Sequence, residues 1–212
     1  MHGFWRCALY LAALGVAVQR NRLATAQAIQ EAHPDAVVLA VGATPTVPPV
    51  AGMDSPKVVD CVTALTGADL PGQRILVVGG GLVGCETALG FAQAGKTVTI
   101  VEALPDILSA GIPVPEMNSS MLRDLLAEWK VEIKTGRRLA RVTQGGAVAA
   151  GAAGEETIPA DHIVLAVGFT PRPSLAGALL GAGMEVYQVG DGCKVGSVMT
   201  AVNSGYTVGR RI

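Results

Sequence analysis

Charged and aromatic residues are scarce in this sequence. Only 16% of its 212 residues are charged and 4% are aromatic, whereas 50% are hydrophobic. A composition this apolar excludes an intrinsically disordered chain. It also leaves little polar material to cover a surface, so we expect exposed apolar surface, some of it suited to a partner. The formal net charge of -1 gives no reason to expect a nucleic acid or an anionic membrane as a partner.

Metal-binding and nucleophilic motifs are missing as well. The cysteines are scattered without a Cys-x-x-Cys, at Cys7, Cys61, Cys85 and Cys193. This excludes a redox-active dithiol, a zinc ribbon and iron–sulfur ligands in this sequence. The histidines show no metal-ligand spacing, and no Ser/His/Asp set is recognisable around His2, His33 and His162. We therefore predict no metal site and no catalytic residue, and we interpret the cysteines as buried, reduced thiols of a cytoplasmic protein.

Long hydrophobic runs are also absent. The apolar run near the N-terminus, residues 7–18, is shorter than the roughly 20 residues that span a bilayer, so we predict no membrane segment. We interpret it as a core helix that ends at Gly15 and leads into a strand at residues 16–18, rather than as an export signal.

The rest of the chain alternates strands and helices, which predicts an α/β fold. Residues 35–41 and 163–167 are continuous apolar runs, typical of strands buried on both faces of a parallel sheet. Residues 58–67 read as a transitional piece. Residues 138–159 predict a β-meander, and a strand at 185–189 precedes a closing helix at 197–211. We predict a Rossmann-like domain with a parallel sheet plus β-meander, and a partial second Rossmann-like domain.

A glycine-rich turn joins the predicted strand Arg74–Val78 to a helix over residues 82–94. In Gly79-x-Gly81-x-x-Gly84, the first glycine permits a tight turn, the second lets the backbone approach a pyrophosphate, and the third allows close helix–strand packing. The helix N-terminus offers free N–H groups to phosphates. We therefore predict that a dinucleotide binds Gly79, Gly80, Gly81, Leu82, Val83 and Gly84. The alternative is an ordinary glycine-rich turn of an α/β fold.

Two acidic residues follow predicted strands. Glu102 ends the strand Thr97–Val101, where a carboxylate accepts hydrogen bonds from an adenosine ribose and repels a 2′-phosphate. This favours NADH over NADPH; the alternative is a solvated acid at a strand end. Asp191 follows Gly190 and is placed to hold a sugar or ribityl hydroxyl, although a Gly-Asp pair is also an ordinary turn or cap.

One segment is repeated within the chain. Residues 35–45 read DAVVLAVGATP and residues 161–171 read DHIVLAVGFTP, so an apolar strand, a Val-Gly and a proline recur in the same register. The repeat predicts that the chain leaves two similar Rossmann-like sheets by the same kind of turn, at Gly42 and at Val167-Gly168.

Taken together, these segments resemble the pyridine-nucleotide-disulfide-reductase superfamily. The resemblance is greatest to the C-terminal FAD/NAD-binding region of the NADH:flavin oxidoreductases related to 2,4-dienoyl-CoA reductase and trimethylamine dehydrogenase. It rests on PDAVVLAVGATPTVPPVAG, VVGGGLVGCETA, TVTIVEALPDI, IPADHIVLAVGFTPRP, VYQVGDG and GYTVGRRI, which run in family order from about residue 32 to the C-terminus.

The resemblance implies a role for each matched position. The glycines of the turn and Glu102 would bind NADH, Gly42 and Gly168 would lie in domain-crossing segments, and Asp191 would contact the ribityl or ribose part of FAD. In such enzymes hydride passes from the nicotinamide to FAD, then through a 4Fe-4S cluster to FMN in a barrel domain.

The sequence also departs from the family pattern. No GxGxxG for the ADP half of FAD precedes residue 35, and the barrel and the cluster motif are absent. We therefore expect a fragment, with residues 1–70 and 176–212 as parts of an FAD-binding domain and residues 71–175 as the NAD(H)-binding domain. FMN and the 4Fe-4S cluster would belong to the missing domains.

The expected partner is the missing FMN-barrel domain or subunit. A second copy, paired through an exposed sheet edge, is the alternative partner. We do not expect the isolated chain to turn over the family's substrate. The alternative function is a non-catalytic module that binds ADP or another adenine nucleotide within a larger flavoprotein.

Overall fold

The structure, a computed structural model, describes residues 9–67, 69–111 and 113–212. His2 and Cys7 lie outside the described residues. The chain divides into two compact units, a smaller one of residues 1–39 and 174–187 and a larger one of residues 40–173 and 188–212. Because compactness does not identify a cofactor, the assignment of FAD- and NAD-binding domains stays a prediction.

The elements of the described residues are numbered in chain order. The α-helices whose bounds both lie within the described residues are α1 (Ala26–Glu31), α2 (Cys61–Leu65), α3 (Leu82–Gln93), α4 (Glu116–Glu128), α5 (Ala176–Leu179) and α6 (Val198–Gly209). The strands are β1 (Ala36–Leu39), β2 (Ala43–Pro45), β3 (Val58–Asp60), β4 (Arg74–Val78), β5 (Thr97–Val101), β6 (Glu132–Lys134), β7 (Arg137–Thr143), β8 (Gly146–Gly151), β9 (Gly154–Pro159), β10 (His162–Leu165), β11 (Phe169–Pro171) and β12 (Glu185–Gln188).

A five-stranded parallel sheet forms the centre of the larger unit, in the order β3-β10-β4-β5-β6. Strand β4 shows why its sequence is apolar from Ile75 to Val78. Ile75 and Val77 belong to one core cluster, and Leu76 and Val78 belong to the cluster on the opposite face. Because both faces are covered, the run is continuous rather than alternating.

Different elements cover the two faces of this sheet. Helices α2, α3 and α4 bury one face with residues such as Cys61, Cys85, Ala88, Leu122 and Leu126. The antiparallel meander β7-β8-β9 buries the other face with Leu139, Ala147, Ala149 and Ile158. The predicted α/β fold, with a parallel sheet and a β-meander, is confirmed.

Residues 58–67 do more than connect two parts of the chain. Val58 pairs with Ile163, so β3 is the edge strand of the parallel sheet beside β10. Asp60 then caps α2 by accepting hydrogen bonds from the backbone N–H groups of Val62 and Thr63, both at 2.9 Å. The interpretation of residues 58–67 as a transitional piece was therefore wrong. The strand was missed because three residues are too few to show a recognisable periodicity.

The repeated segments form a structure together. Strands β2 and β11 follow the two repeated glycines and pair antiparallel, with Thr44 opposite Thr170. Gly42 and Gly168 have φ values of 70° and 97°, in the left-handed region that favours glycine. The repeat therefore provides two matched turns and a two-stranded ribbon between them.

In the smaller unit, β1 pairs with β12 in a two-stranded sheet. Residues 9–13 are helical, but residues 16–18 form no strand. Leu9 and Leu14 are 70% and 76% exposed, so the prediction of a core helix was wrong. Within β1 only Leu39 is buried, because a two-stranded sheet cannot enclose both faces. Among the described residues, no helix is long and apolar enough to cross a membrane.

Asp161 fastens the start of β4. Its carboxylate accepts hydrogen bonds from the backbone N–H groups of Gln73 and Arg74, both at 2.9 Å, and from the Arg74 guanidinium at 2.7 Å. The Arg74 side chain is the main reason why the pKa of Asp161 lies below its ordinary value of 3.8. A carboxyl group whose pKa is lower in the folded state stabilises that state at pH values above its ordinary pKa. This stabilisation is lost as the pH falls through the pKa of the folded state.

We therefore expect Asp161→Asn to lower the midpoint of thermal unfolding at neutral pH. Below about pH 4 the unsubstituted protein should lose stability more steeply than the variant, and the two should converge. Thermal unfolding followed by circular dichroism across this pH range measures both effects. Asp124→Asn, at an exposed position of α4, is the control. Parallel curves for Asp161→Asn and the unsubstituted protein would contradict this role.

Candidate functional site

The glycine-rich turn connects β4 to α3 at the carboxyl end of the parallel sheet. Gly79 has φ 106°, and a Cβ atom there would lie 2.4 Å from the carbonyl oxygen of Ala166. A Cβ atom on Gly84 would lie 1.9 Å from the carbonyl oxygen of Gly79. Both distances are far below van der Waals contact, so these two positions require glycine for packing.

Gly81 faces open space instead. A Cβ atom there would have no atom within 4 Å, and Gly81 is the N-cap of α3. The first N–H groups of a helix have no partner within the helix and carry a partial positive charge. The space beside Gly81 therefore fits a phosphate group that the backbone approaches closely. Leu82 and Val83, the next two residues of the chain, are also exposed, at 38% and 37%.

Glu102 is 8% exposed and holds the turn directly. Its Oε2 accepts a hydrogen bond of 2.6 Å from the backbone N–H of Gly80, and its Oε1 accepts one of 2.7 Å from that of Leu104. Each carboxylate oxygen keeps a further lone pair, so the ribose contact predicted from the sequence stays open to it. Nothing in the sequence pattern indicated that the same side chain also fastens the glycine-rich turn.

Residues 103–108, the covering loop, lie against the turn beside Glu102. The backbone N–H of Leu108 donates to the carbonyl oxygen of Gly80 at 2.7 Å. Ile107 packs so closely that a Cβ atom on Gly80 would lie 2.8 Å from its Cγ2. Asp106 accepts two hydrogen bonds from Arg123 of α4, at 2.9 and 2.8 Å. Sequence reasoning gave no role to Asp106, Ile107 or Arg123, since no motif links Arg123 to a loop this far away in the chain.

The other predicted residues form two groups. The backbone nitrogen of Val167 lies 3.2 Å from the position of a Cβ atom on Gly79, which puts Val167-Gly168 beside the glycine-rich turn. Gly42 belongs to a second group, because its backbone nitrogen lies 3.3 Å from the position of a Cβ atom on Gly192.

This second group contains the Gly190-Asp191 pair. The backbone N–H of Gly190 donates to the Ser204 hydroxyl at 2.9 Å, and Asp191 Oδ1 accepts from the backbone N–H of Gly196 at 2.9 Å. Asp191 therefore closes a turn before α6. The FAD contact remains a prediction for it.

A known protein family matches most of this chain. The family model described as Pyridine nucleotide-disulphide oxidoreductase matches residues 7–205.

The chain belongs to the pyridine nucleotide-disulphide oxidoreductase family.

Individual relatives agree with this family assignment. The chain is 36% identical over 199 residues to the cinnamate reductase of Clostridium sporogenes, which covers 94% of this chain and 30% of that protein. It is 32% identical over 209 residues to the NADH oxidase of Thermoanaerobacter brockii, which covers 95% and 32%. The solved structure of a 2-naphthoyl-CoA reductase in complex with 2-naphthoyl-CoA superposes with a TM-score of 0.85 and 30% identity, over 97% of this chain and 31% of that one.

The chain thus spans about a third of the length of these relatives. The superfamily assignment made from the sequence is confirmed. So is the predicted class, an oxidoreductase domain of Rossmann type within a flavoprotein family. The narrower relationship to 2,4-dienoyl-CoA reductase and trimethylamine dehydrogenase stays a prediction.

Two cavities of the present protein lie away from the glycine-rich turn. One, of about 320 Å³, is lined by Arg74, Thr97 and Lys134 among others. The other, of about 500 Å³, lies within the smaller unit and is lined by residues such as Leu23, Ile29 and Val37. Neither cavity is lined by residues 79–84. We call the surface beside Gly81, where a Cβ atom would have no atom within 4 Å, the cradle.

The thiol of Cys85 lies under the cradle and is fully buried. Its Sγ contacts the carbonyl oxygen of Gly80 at 3.3 Å, and burial raises the pKa of Cys85 to about 12. Cys61 is buried too, and burial raises the pKa of its thiol. Cys193 is exposed, so the prediction of a buried thiol was wrong for this residue. It follows a turn at the surface, where hydrophobic composition gives no information on burial.

We expect iodoacetamide at about pH 8 to alkylate Cys193 in the folded protein and to leave Cys61 and Cys85 unmodified, because the thiolate is the nucleophile. Peptide mass spectrometry measures the modified fraction at each site. In denaturant all three should react, which controls for intrinsic reactivity. Rapid labelling of Cys85 under native conditions would contradict its burial beneath the turn.

Proposed function

We propose that this chain is the nucleotide-binding portion of a flavin-dependent NADH oxidoreductase. In the full-length enzyme, NADH bound at residues 79–84 would pass a hydride to FAD. The observation that best supports the proposal is the open space beside Gly81, at the start of α3 and next to the buried Glu102. Further support comes from the family match and from the similarity to an enzyme named NADH oxidase.

The residues of the turn would bind the two phosphates and the adenosine ribose. The backbone N–H groups at the start of α3, from Leu82 onward, would donate to the pyrophosphate. The Glu102 carboxylate would accept from the ribose hydroxyls, and its charge would repel the 2′-phosphate of NADPH. When the dinucleotide is bound, its nicotinamide would supply the hydride.

FAD would contact the second group, Gly42 with Gly190 and Asp191. Support comes from the proximity of Gly42 to the 190–192 turn and from the sequence resemblance. By the same resemblance, FMN and a 4Fe-4S cluster would belong to a barrel domain or subunit, the proposed partner. The free thiols of Cys61, Cys85 and Cys193 support a cytoplasmic location.

A second candidate function is a site that holds ADP or another adenine nucleotide without nicotinamide chemistry. One observation favours it. The groups that Gly81 and Glu102 would offer are suited to phosphates and a ribose, which ADP and NADH share, and the hydrogen bonds of Glu102 and of residues 103–108 hold the turn in place.

Titrating the chain with NADH and with ADP-ribose separates the two functions. If the nicotinamide half is recognised, NADH should bind at least about tenfold more tightly, which corresponds to 1.4 kcal/mol. Anaerobic bleaching of added FAD by NADH, in the presence of the chain, should then exceed bleaching by NADH alone. Equal affinities for NADH and ADP-ribose, with no accelerated bleaching, would favour the adenine-nucleotide module.

A substitution at Ala103 should change the selectivity for NADH over NADPH more cleanly than one at Glu102. Replacing Glu102 removes acceptors for two backbone N–H groups and disturbs the turn itself. Ala103 is exposed and directly follows Glu102, so Ala103→Arg adds a guanidinium that can pair with a 2′-phosphate. We expect the Kd ratio of NADPH to NADH to fall about tenfold. Ala127→Arg, on the exposed side of α4, controls for nonspecific charge and should leave the ratio unchanged.

A further inference from the structure

We infer that the ion pair between Asp106 and Arg123 is a positioning pair for nucleotide binding. It would hold the covering loop against the glycine-rich turn, so that the wall of the adenosine-binding side is formed before the nucleotide arrives. The inference rests on the proposed function and deepens it, because the glycine-rich motif of residues 79–84 contains neither partner of this pair.

Three contacts connect Arg123 to the loop. Its guanidinium donates to both carboxylate oxygens of Asp106, at 2.9 and 2.8 Å, and to the carbonyl oxygen of Ile107 at 2.8 Å. Bidentate pairing of this kind fixes orientation as well as distance. The hydrogen bonds from the Arg123 side chain also hold the pKa of Asp106 below its ordinary value.

The loop in turn contacts the phosphate-binding backbone. Ile107 is 2% exposed and packs on Gly80, and Leu108 donates from its backbone N–H to the Gly80 carbonyl oxygen at 2.7 Å. Leu108 has φ 58°, an uncommon conformation for a non-glycine residue that persists only where the surroundings impose it. Glu102 completes the connection from the other side, through Gly80 and Leu104.

Because the pair of Asp106 and Arg123 is exposed, its role in positioning the loop can be distinguished from a contribution to the stability of the whole fold. The Arg123 and Asp106 side chains are 38% and 58% exposed. Exposed ion pairs contribute little to the stability of the whole fold. The chain offers a matched comparison in Arg141 and Glu155 of the meander, which are also bidentate, at 2.8 and 2.8 Å, and are 45% and 52% exposed.

Loss of the pair should therefore reduce the fraction of molecules whose loop is in place. Apparent affinity falls in proportion to that fraction. If the loop is ordered in about a third of the molecules, the Kd rises about threefold. Because NADH and ADP share the adenosine and pyrophosphate groups, both ligands should weaken by the same factor.

The test compares Arg123→Met with Arg141→Met in the complete chain. Calorimetric titration gives the Kd for NADH and for ADP, and thermal unfolding gives the stability of each variant. We expect Arg123→Met to weaken the binding of both ligands about threefold, and Arg141→Met to bind as the unsubstituted protein does. The two variants should have similar unfolding midpoints. Arg123→Lys keeps the charge but not the bidentate geometry, so it should restore binding only in part.

Amide hydrogen exchange provides a readout that needs no ligand. The backbone N–H groups of Leu104 and Leu108 should exchange faster in Arg123→Met and remain protected in Arg141→Met. Unchanged exchange, or unchanged NADH affinity in Arg123→Met beside an unsubstituted protein that binds, would overturn this inference alone. If the unsubstituted protein binds neither NADH nor ADP, the proposed function fails, and this inference fails with it.

Discussion

Gly84→Ala is expected to lower the free energy of unfolding by about 3 kcal/mol, near the upper end for overpacking substitutions. The added methyl group would lie 1.9 Å from the carbonyl oxygen of Gly79, and a backbone atom in a tight turn cannot move aside cheaply. Helix α3 would have to move away from β4, which also disturbs the packing of Cys85 and Ala88 in the core. Urea unfolding followed by circular dichroism gives the change directly.

Gly90→Ala is the matched control, because Gly90 lies in the same helix. It is exposed, and a Cβ atom there would have no atom within 4 Å. Alanine is favoured over glycine inside a helix, so this variant should be more stable than the unsubstituted protein by about 0.5 to 1 kcal/mol. Equal stability of Gly84→Ala and Gly90→Ala would show that α3 does not pack on the turn as described.

Gly81→Val is expected to leave the fold intact and to prevent nucleotide binding. Its side chain would extend into open space, and φ of -70° with ψ of -177° is accessible to valine. The loss of glycine at an N-cap should cost about 1 kcal/mol of stability. NADH affinity should fall at least about a hundredfold, or about 2.7 kcal/mol, because the isopropyl group occupies the space proposed for the pyrophosphate.

Calorimetric titration with NADH and urea unfolding of the same preparation check both parts of this prediction. Gly81→Ala, which adds only a methyl group, should lose less affinity than Gly81→Val. Retained NADH binding in a folded Gly81→Val protein would mean that the nucleotide does not approach the turn at this residue.

The parts of the fold that were predictable are those in which neighbouring residues determine the structure. Strands β4 and β10 contain the apolar runs of residues 75–78 and 163–165, because a sheet covered on both faces needs such runs. Helix α3 ends at Gln93 ahead of Gly95, as expected of a glycine that follows a helix. Gly79 and Gly84 also stand where a tight turn and close packing exclude any side chain.

The remaining features depend on residues far apart in the chain. Asp106 and Arg123 meet only because α4 packs beside the loop that follows β5, and no local pattern indicates that contact. Glu102 was predicted as a ribose ligand from its position, but its bond to Gly80 depends on the turn's conformation. Burial was predicted wrongly at Leu9 and Leu14, because a hydrophobic side chain is buried only where another part of the protein packs against it, and the sequence does not show where that happens.

Calorimetric titration of the unsubstituted chain with NADH and NADPH tests the central claim most directly. The account predicts one site per chain that binds NADH, with NADPH at least about tenfold weaker because of the Glu102 carboxylate. Absence of NADH binding, or equal binding of the two nucleotides, would contradict the assignment of Gly79–Gly84 and Glu102 as an NADH site.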